Sequence, residues 1–389
     1  MDDWLTGVQE LMPQLSSVRR HLHQNPEAGF DEKDTARFIS EFLQTNGIPF
    51  ERVGETGIVA TLDSNRAGGA IALRADIDAL AISEASETEY ASQRPGVMHA
   101  CGHDCHTAIL MLTAKFLKEH MYRFCGTVKF LFQAAEEVPP GGAVQLIEAG
   151  ALEGIDAIYA LHVSPEMVAG QISVRNGAML AAADQFHVEV VGRGGHGASP
   201  HQTVDAVMIA CQLVNNLQTI VSRNLSPLEP AVISVGQINA GYRPNVIAET
   251  CTMEGTVRTL SEETRNRVRD RLKKVIQGTA EMHGAEAIMT YEEGYPPLIN
   301  PEPSADIIRQ VGHRVLGPGA VQELEVPSMG GEDFAYYLQR VPGAFFRLGT
   351  KTVEREQFPL HNPRFDLDEG AMVYGVKMFA GLVDHHLGA

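Results

Sequence analysis

Basic residues are scarce in this chain. Its 389 residues hold 31 Lys and Arg against 49 Asp and Glu, a formal net charge of −18. Such a surface argues against nucleic acid as a partner, because phosphate contacts need clustered cations. An anionic small substrate is still allowed, since one or two buried arginines can set a local field. Cysteine is sparse as well: Cys101, Cys105, Cys125, Cys211 and Cys251. An odd, scattered set is no disulfide framework and points to a reducing cytoplasm. Also missing is any apolar run approaching the roughly 20 residues of a membrane span. The opening Met1-Asp2-Asp3-Trp4 has neither the basic nor the apolar region of a secretory signal. The expectation is a cytoplasmic protein without a membrane partner. What the chain does have, 44% hydrophobic and 21% charged residues, suffices for a full core. At this length two domains are expected.

The densest chemistry lies in Met98-His99-Ala100-Cys101-Gly102-His103-Asp104-Cys105-His106. Thiolate and imidazole two residues apart suit a zinc-like divalent ion, with Cys101 and His103 as leading ligands. His99, Cys105 and His106 cannot all join one or two ions, so they read as supporting or packing residues. Downstream, Glu136-Glu137 closes the apolar run Val128 to Ala135, a buried strand by pattern. A ligand and a general base on adjacent residues are what metal-assisted hydrolysis needs. The strand Ile71 to Asp76 delivers Asp76, and Ala157 to Val163 delivers His162. Sites in open α/β sheets gather at such strand ends. Asp76 reads as a carboxylate orienting a ligating imidazole, and Asp78 as a turn residue. His361, in the irregular Phe358-Pro359-Leu360-His361-Asn362-Pro363, either packs or completes the ligand set. His21 and His23, closing an opening helix over 5–23, read as packing or capping groups.

From about Asp184 the pattern changes. Strands Phe186 to Val191, Ala231 to Ile238, Cys251 to Thr259 and Ala287 to Tyr291 are interleaved with helices His201 to Gln218 and Ser261 to Met282. The order β-α-β-β-α-β is the ferredoxin-like unit. Residues 184–293 therefore read as a domain inserted between the halves 1–183 and 294–389 of an α/β domain. Gly192 to Gly197 matches G-x-G-x-x-G, but the acidic residue a dinucleotide fold wants roughly 20 positions on would fall within a running helix. His196, between glycines, can approach a ligand closely. Asn245 divides between turn and ligand roles, Arg258 between surface ion pair and ligand contact. Gly331, in a glycine turn before a helix N-terminus, is a candidate substrate contact.

Five segments, in order, resemble signatures of the M20 family of metallopeptidases: Arg-Ala-Asp-Ile-Asp-Ala-Leu, Met-His-Ala-Cys-Gly-His-Asp, Ala-Ala-Glu-Glu, Gly-Gly-His-Gly-Ala-Ser-Pro-His and Gly-Gly-Glu-Asp-Phe. The likeness covers nearly the whole chain and is greatest to the amidohydrolase branch of hippurate hydrolase, N-acyl-amino-acid amidohydrolases and auxin-conjugate hydrolases. It implies an aminopeptidase-like α/β catalytic domain, a central mixed sheet flanked by helices, with the ferredoxin-like insert as lid and dimerisation domain. It implies two divalent ions (Zn, Mn, Ni or Co) held by Cys101, His103, Glu137, His162 and His361. The cysteine would take the bridging place that an aspartate holds in related peptidases. Arg74 stands where those have a histidine ligand, so His103 would serve instead, oriented by Asp76. Glu136 takes the general-base position, and His196 resembles a histidine reaching into the neighbouring subunit of a homodimer. Asn245 and Arg258 fall where relatives hold substrate. The implied reaction splits an N-acyl-L-amino acid into a carboxylic acid and an amino acid. Rival readings are a dipeptidase or aminopeptidase of the same architecture, a non-catalytic metal-binding protein, and a hydrolase using the Cys101 thiolate.

Overall fold

In the computed structural model, residues 3–352 and 356–389 are described, so Met1 and Asp2 of the acidic N-terminus lie outside. The opening apolar periodicity does produce helix, but its first part winds tightly. Asp3–Leu11 is 3-10, and α1 runs Met12–Gln24 with Pro13 in its first turn, where a missing N–H costs nothing. There follow α2 (Lys33–Thr45), β1 (Phe50–Val53), β2 (Gly57–Asp63), β3 (Ala70–Asp76) and α3 (His103–Glu119). Next come β4 (Thr127–Gln133), α4 (Ala143–Glu148), β5 (Ala157–Val168) and β6 (Ile172–Val174).

The middle of the chain carries, besides shorter strands, β7 (Ala182–Val191), α5 (Ala206–Thr219), β8 (Ala231–Ala240), β9 (Thr250–Thr259), α6 (Glu262–Met282) and β10 (Glu286–Tyr295). The chain closes with α7 (Glu302–Leu316), β11 (Val321–Glu323), the short α8 (Ala335–Leu338), β12 (Gly343–Lys351) and α9 (Met372–Leu387).

Two compact units result. The first holds the chain up to Met179, Ile299–Val326 and Asp333–Ala389; the second holds Leu180–Leu298 and Pro327–Glu332. The short Pro327–Glu332 stretch thus groups with the middle of the chain, although no change of pattern sets it apart from the residues around it. In the first unit an eight-stranded mixed sheet has the order β1-β2-β4-β3-β5-β12-β6-β11. β4, β3, β5 and β12 pair in parallel, and β3 is buried at all but its first residue, as parallel strands covered on both faces must be. Its C-terminal ends gather the sequence-predicted ligands. The second unit is an antiparallel sheet of order β8-β9-β7-β10 with α5 and α6, which is the ferredoxin-like arrangement expected from the β-α-β-β-α-β order. Each unit has its own apolar core. Among the described residues no helix is long and apolar enough to cross a membrane.

One buried ionic network bears on the site. Arg19 of α1, fully buried, donates from Nε to Asp104 Oδ2 at 2.8 Å and reaches Asp366 at 3.0 Å and Glu369 at 3.3 Å. His23 Nδ1 meets the same Asp104 oxygen at 2.8 Å, and its Nε2 lies 3.3 Å from Glu84. His23, read from the sequence as a packing or capping group, is buried and anchors the first turn of α3 through Asp104. Replacing Arg19 by Met leaves Asp104 buried beside an incomplete set of partners and is expected to cost about 3–5 kcal/mol of stability, read from urea unfolding. Burial and Arg19 oppose the charged form of His23, but Asp104 and Glu84 hold its pKa above the usual 6.5. A raised folded-state value contributes stability that is full below 6.5 and fades as pH rises through it. With a chelator present, unfolding free energy should therefore decline above pH 6.5, and His23→Gln should flatten that decline.

Candidate metal centre

The site begins with a helix starting earlier than its apolar pattern. Periodicity places a helix from Thr107, yet α3 begins at His103, because a first turn of polar, ligand-type residues carries no apolar signal. Gly102 makes that start possible: its φ is +85°, and a Cβ there would lie 2.4 Å from Val163 Cγ2. His103 is then locked from behind. Its Nδ1 donates to the Asp78 backbone oxygen at 3.0 Å and lies 3.1 Å from Asp78 Oδ1. That fixes the tautomer and leaves Nε2 forward, where it is buried without a hydrogen-bond partner.

A second approach is made by a strained turn. β4 ends at Gln133, and Ala135 adopts φ +52°, a left-handed conformation costing about 1–3 kcal/mol for a non-glycine residue. Its N–H donates to Glu32 Oε1 at 2.8 Å. The turn delivers Glu136, buried, and Glu137, whose N–H donates to Asp78 Oδ2 at 2.9 Å. Asp78 therefore supports two site residues at once. His361 is also left-handed (φ +63°) and is held by its N–H on the Ala100 oxygen at 2.8 Å. His162 arrives on β5 with Nδ1 bonded to the Val163 oxygen at 2.8 Å.

These side chains converge. Cys101 Sγ lies 3.4 Å from His162 Nε2 and 3.3 Å from His361 Nε2, and Glu137 Oε1 lies 3.2 Å from His361 Nε2. Tetrahedral ligands at 2.0–2.3 Å from an ion stand roughly 3.4–3.7 Å apart. Two triads of donor atoms, each within 4.8 Å, share the cysteine: Cys101 with His103 and His162, and Cys101 with Glu137 and His361. Glu136 forms a further such group with His103 and Glu137. The donors attract positive charge. Hydrogen bonding to Cys101 and Glu137 pushes His361 up to about 10. Glu137 Oε1 is buried with His361 as its neighbour, whereas His103 Nε2 is buried without a hydrogen-bond partner. Soft sulfur, imidazole and one carboxylate around an orphaned buried imidazole nitrogen fit a pair of divalent cations.

Two expectations need amending. Asp76 does not hydrogen-bond His103, whose Nε2 is 3.9 Å away. It binds His106 Nδ1 at 2.6 Å and Arg74 Nη1 at 2.5 Å, while Asp78 orients His103. Burial opposes ionisation of Asp76, but His103, Arg74 and His106 hold its carboxyl well below the usual range. His106 in turn accepts the Val163 N–H at 2.9 Å, tying β3 to the strand of His162. Arg74 is consumed by Asp76, Gln133 (3.0 Å) and Asp333 (2.7 Å). His99 is buried with both ring nitrogens unpartnered, and burial lowers it to about 3; it is a neutral packing residue. Asp78 lies two residues past the end of β3, so strand alternation does not assign its direction. Asp78→Ala is expected to weaken metal binding about 10- to 100-fold, measured by calorimetric titration of the chelator-stripped protein.

The second unit holds the other sequence-predicted residues. His196 is exposed, in a two-residue strand whose Cα partner is Val246. Next to it, the Gly197 N–H donates to the Asn245 oxygen at 2.8 Å, so His196 and Asn245 are neighbours. Arg258, half-buried on β9, has its pKa lowered by burial, against the pull of Asp184. A Cβ on Gly331 would stand 3.8 Å from Arg258 Nη1 and 2.8 Å from Ala183 Cβ, so Gly331 and Arg258 are neighbours too.

Comparison with known proteins agrees with this geometry. Residues 72–385 match the profile of Peptidase family M20/M25/M40. The N-acetyl-L-cysteine deacetylase of Bacillus subtilis is 42% identical over 372 residues, spanning 94% of this chain and 86% of its own. The N-acyl-L-amino acid amidohydrolase of Geobacillus stearothermophilus is 43% identical over 317 residues, spanning 80% and 86%. The crystal structure of the Bacillus subtilis YXEP protein, described as a dinuclear metal binding peptidase, superposes with a TM-score of 0.84 at 34% identity, covering 96% of this chain and 98% of that one.

Proposed function

The chain belongs to peptidase family M20/M25/M40, and from that membership we propose that it hydrolyses the amide bond of N-acyl-L-amino acids, releasing a carboxylic acid and a free amino acid. The observation that carries the reading is the pair of donor triads sharing Cys101, with the Glu136 carboxylate buried beside them. The amidohydrolase and deacetylase relatives support the substrate class, and the dinuclear YXEP protein supports two ions per chain. Cys101, His103, Glu137, His162 and His361 would hold them, zinc or manganese being the leading candidates.

When bound, such ions supply Lewis acidity, making a water acidic enough to ionise near neutral pH. Glu136 takes the proton of the attacking water and later returns it to the leaving amine. His103, fixed by Asp78, and Glu137 hold the site's geometry while bonds are made and broken. His196 donates a hydrogen bond to the oxyanion, and Asn245, Arg258 and Gly331 hold substrate. A thiolate mechanism is disfavoured, because burial and the Glu137 charge raise the Cys101 thiol, the opposite of what a nucleophile requires.

We place the enzyme in the cytoplasm as a homodimer formed through the second unit, with His196 serving the partner subunit; sedimentation of a single 42.3 kDa species would refute the dimer. The reaction is tested by incubating metal-loaded protein with hippurate and N-acetyl-amino acids beside the matching free dipeptides. Amino acid release from the acylated set alone is expected. Activity confined to free dipeptides would make the enzyme a dipeptidase.

A further inference from the structure

We infer that Arg347 reads a second negative charge on the substrate, a carboxylate additional to the α-carboxylate that every N-acyl amino acid carries. This inference rests on the N-acyl amino acid reading above. β5 and β12 pair in parallel, and their register sets Arg347 opposite His162. Register partners on neighbouring strands stand about 4.8 Å apart and project from the same face. Phe345, two residues earlier, marks that face, its ring 6.3 Å from that of His162. Ala344, Phe346 and Leu348 point the other way, into the apolar core. The Arg347 side chain therefore leaves the sheet on the metal-ligand face, beside one of the ligands.

Its surroundings do not satisfy it. On the other flank its strand partner is Ser173 of β6, whose hydroxyl is spent on Met167 Sδ at 3.2 Å. Among the described residues the half-buried guanidinium has no hydrogen bond or ion pair. The carboxylate that faces it is Glu166, itself exposed and accepting the Ser164 hydroxyl at 3.0 Å. The chain treats its fully buried arginines differently. Arg19 meets three carboxylates and Arg74 meets two. Five donors held partly out of water without acceptors are costly, and a ligand oxyanion would remove that cost by a bidentate pair.

Open space lies a few residues further along the same two strands. A cleft of about 300 Å³ is lined by Pro165, Glu166, Lys351, Gln357, Phe358 and Pro359. It lies between the segments that carry His162 and His361. Lys351 adds a second cation there. In a chain of net charge −18, the Arg347 cation beside a ligand histidine gives a local field favouring an anion. The carboxylate could belong to the amino acid's side chain or to the acyl group, and the two are separable by substrate.

The test compares kcat/KM for N-acetyl-L-glutamate with its neutral isostere N-acetyl-L-glutamine, and for N-succinyl-L-alanine with its terminal amide. In the metal-loaded wild type one pair should favour the dianion by about 10- to 100-fold, chiefly through KM. Arg347→Met should collapse that ratio toward one, and Arg347→Lys should keep part of it. Whichever pair responds tells which end of the substrate carries the charge. Absence of preference in both pairs, or a preference surviving Arg347→Met in a folded variant, would overturn the inference. Calorimetric binding of the same four compounds separates it from the reaction itself. Preferential binding without hydrolysis would sink the amidohydrolase reading and keep Arg347; hydrolysis without preference would do the reverse.

Discussion

Glu136→Gln is expected to lower kcat by at least roughly 10²- to 10⁴-fold, the usual worth of a positioned proton-transfer group, while metal content stays unchanged. Glutamine keeps the size of the side chain but cannot accept the proton of an attacking water. The residue is buried beside Glu137 and His103 without belonging to either triad around Cys101, so its loss should spare the ions. The check is kcat and bound metal measured on one preparation. Near-normal turnover with metal in place would remove Glu136 from the mechanism. A variant that lost its metal would instead make Glu136 a ligand.

The second large effect belongs to Cys101. Because both donor triads include its sulfur, Cys101→Ala would take a ligand from each of the two proposed ions. The loss of affinity should exceed the roughly 10- to 100-fold that removing a supporting partner costs, and activity should fall with metal content. Cys101→Asp offers a sharper contrast. A carboxylate can bridge two ions, so this variant should recover metal and part of the activity, with preference moved from zinc toward harder ions such as manganese. Elemental analysis after dialysis against each metal reads both outcomes. Full metal retention in Cys101→Ala would show that the cysteine is not shared.

Much of this was legible before any coordinates. Glu137 and His162 drew notice as ligand-type residues at strand ends, Cys101 and His103 by their two-residue spacing, and His361, in an irregular segment, only through the family resemblance; the order of elements in the middle of the chain announced the ferredoxin-like unit. Side-chain direction was not legible. Asp76 and Asp78 differ by two positions, and only the folded loop decides that Asp78 turns to His103 and Glu137 while Asp76 turns to His106 and Arg74. The left-handed backbone at Ala135 and His361 was equally hidden, since few non-glycine residues adopt it and alanine is not among those enriched there. Long-range partners were invisible too. His23 looked like a helix-end residue until Asp104, 81 positions away, was brought against it. Arg347 drew no notice in the sequence, because its position means something only once strand register sets it opposite His162.

The most direct test of a cysteine-bridged pair of ions serving amide hydrolysis is a titration of chelator-stripped protein with zinc or manganese, following amino acid release from an N-acetyl-amino acid and bound metal together. Activity should be absent without metal and should reach its plateau at two ions per chain. Full activity in the stripped protein, or a plateau at a single ion that a second leaves unchanged, would contradict the account.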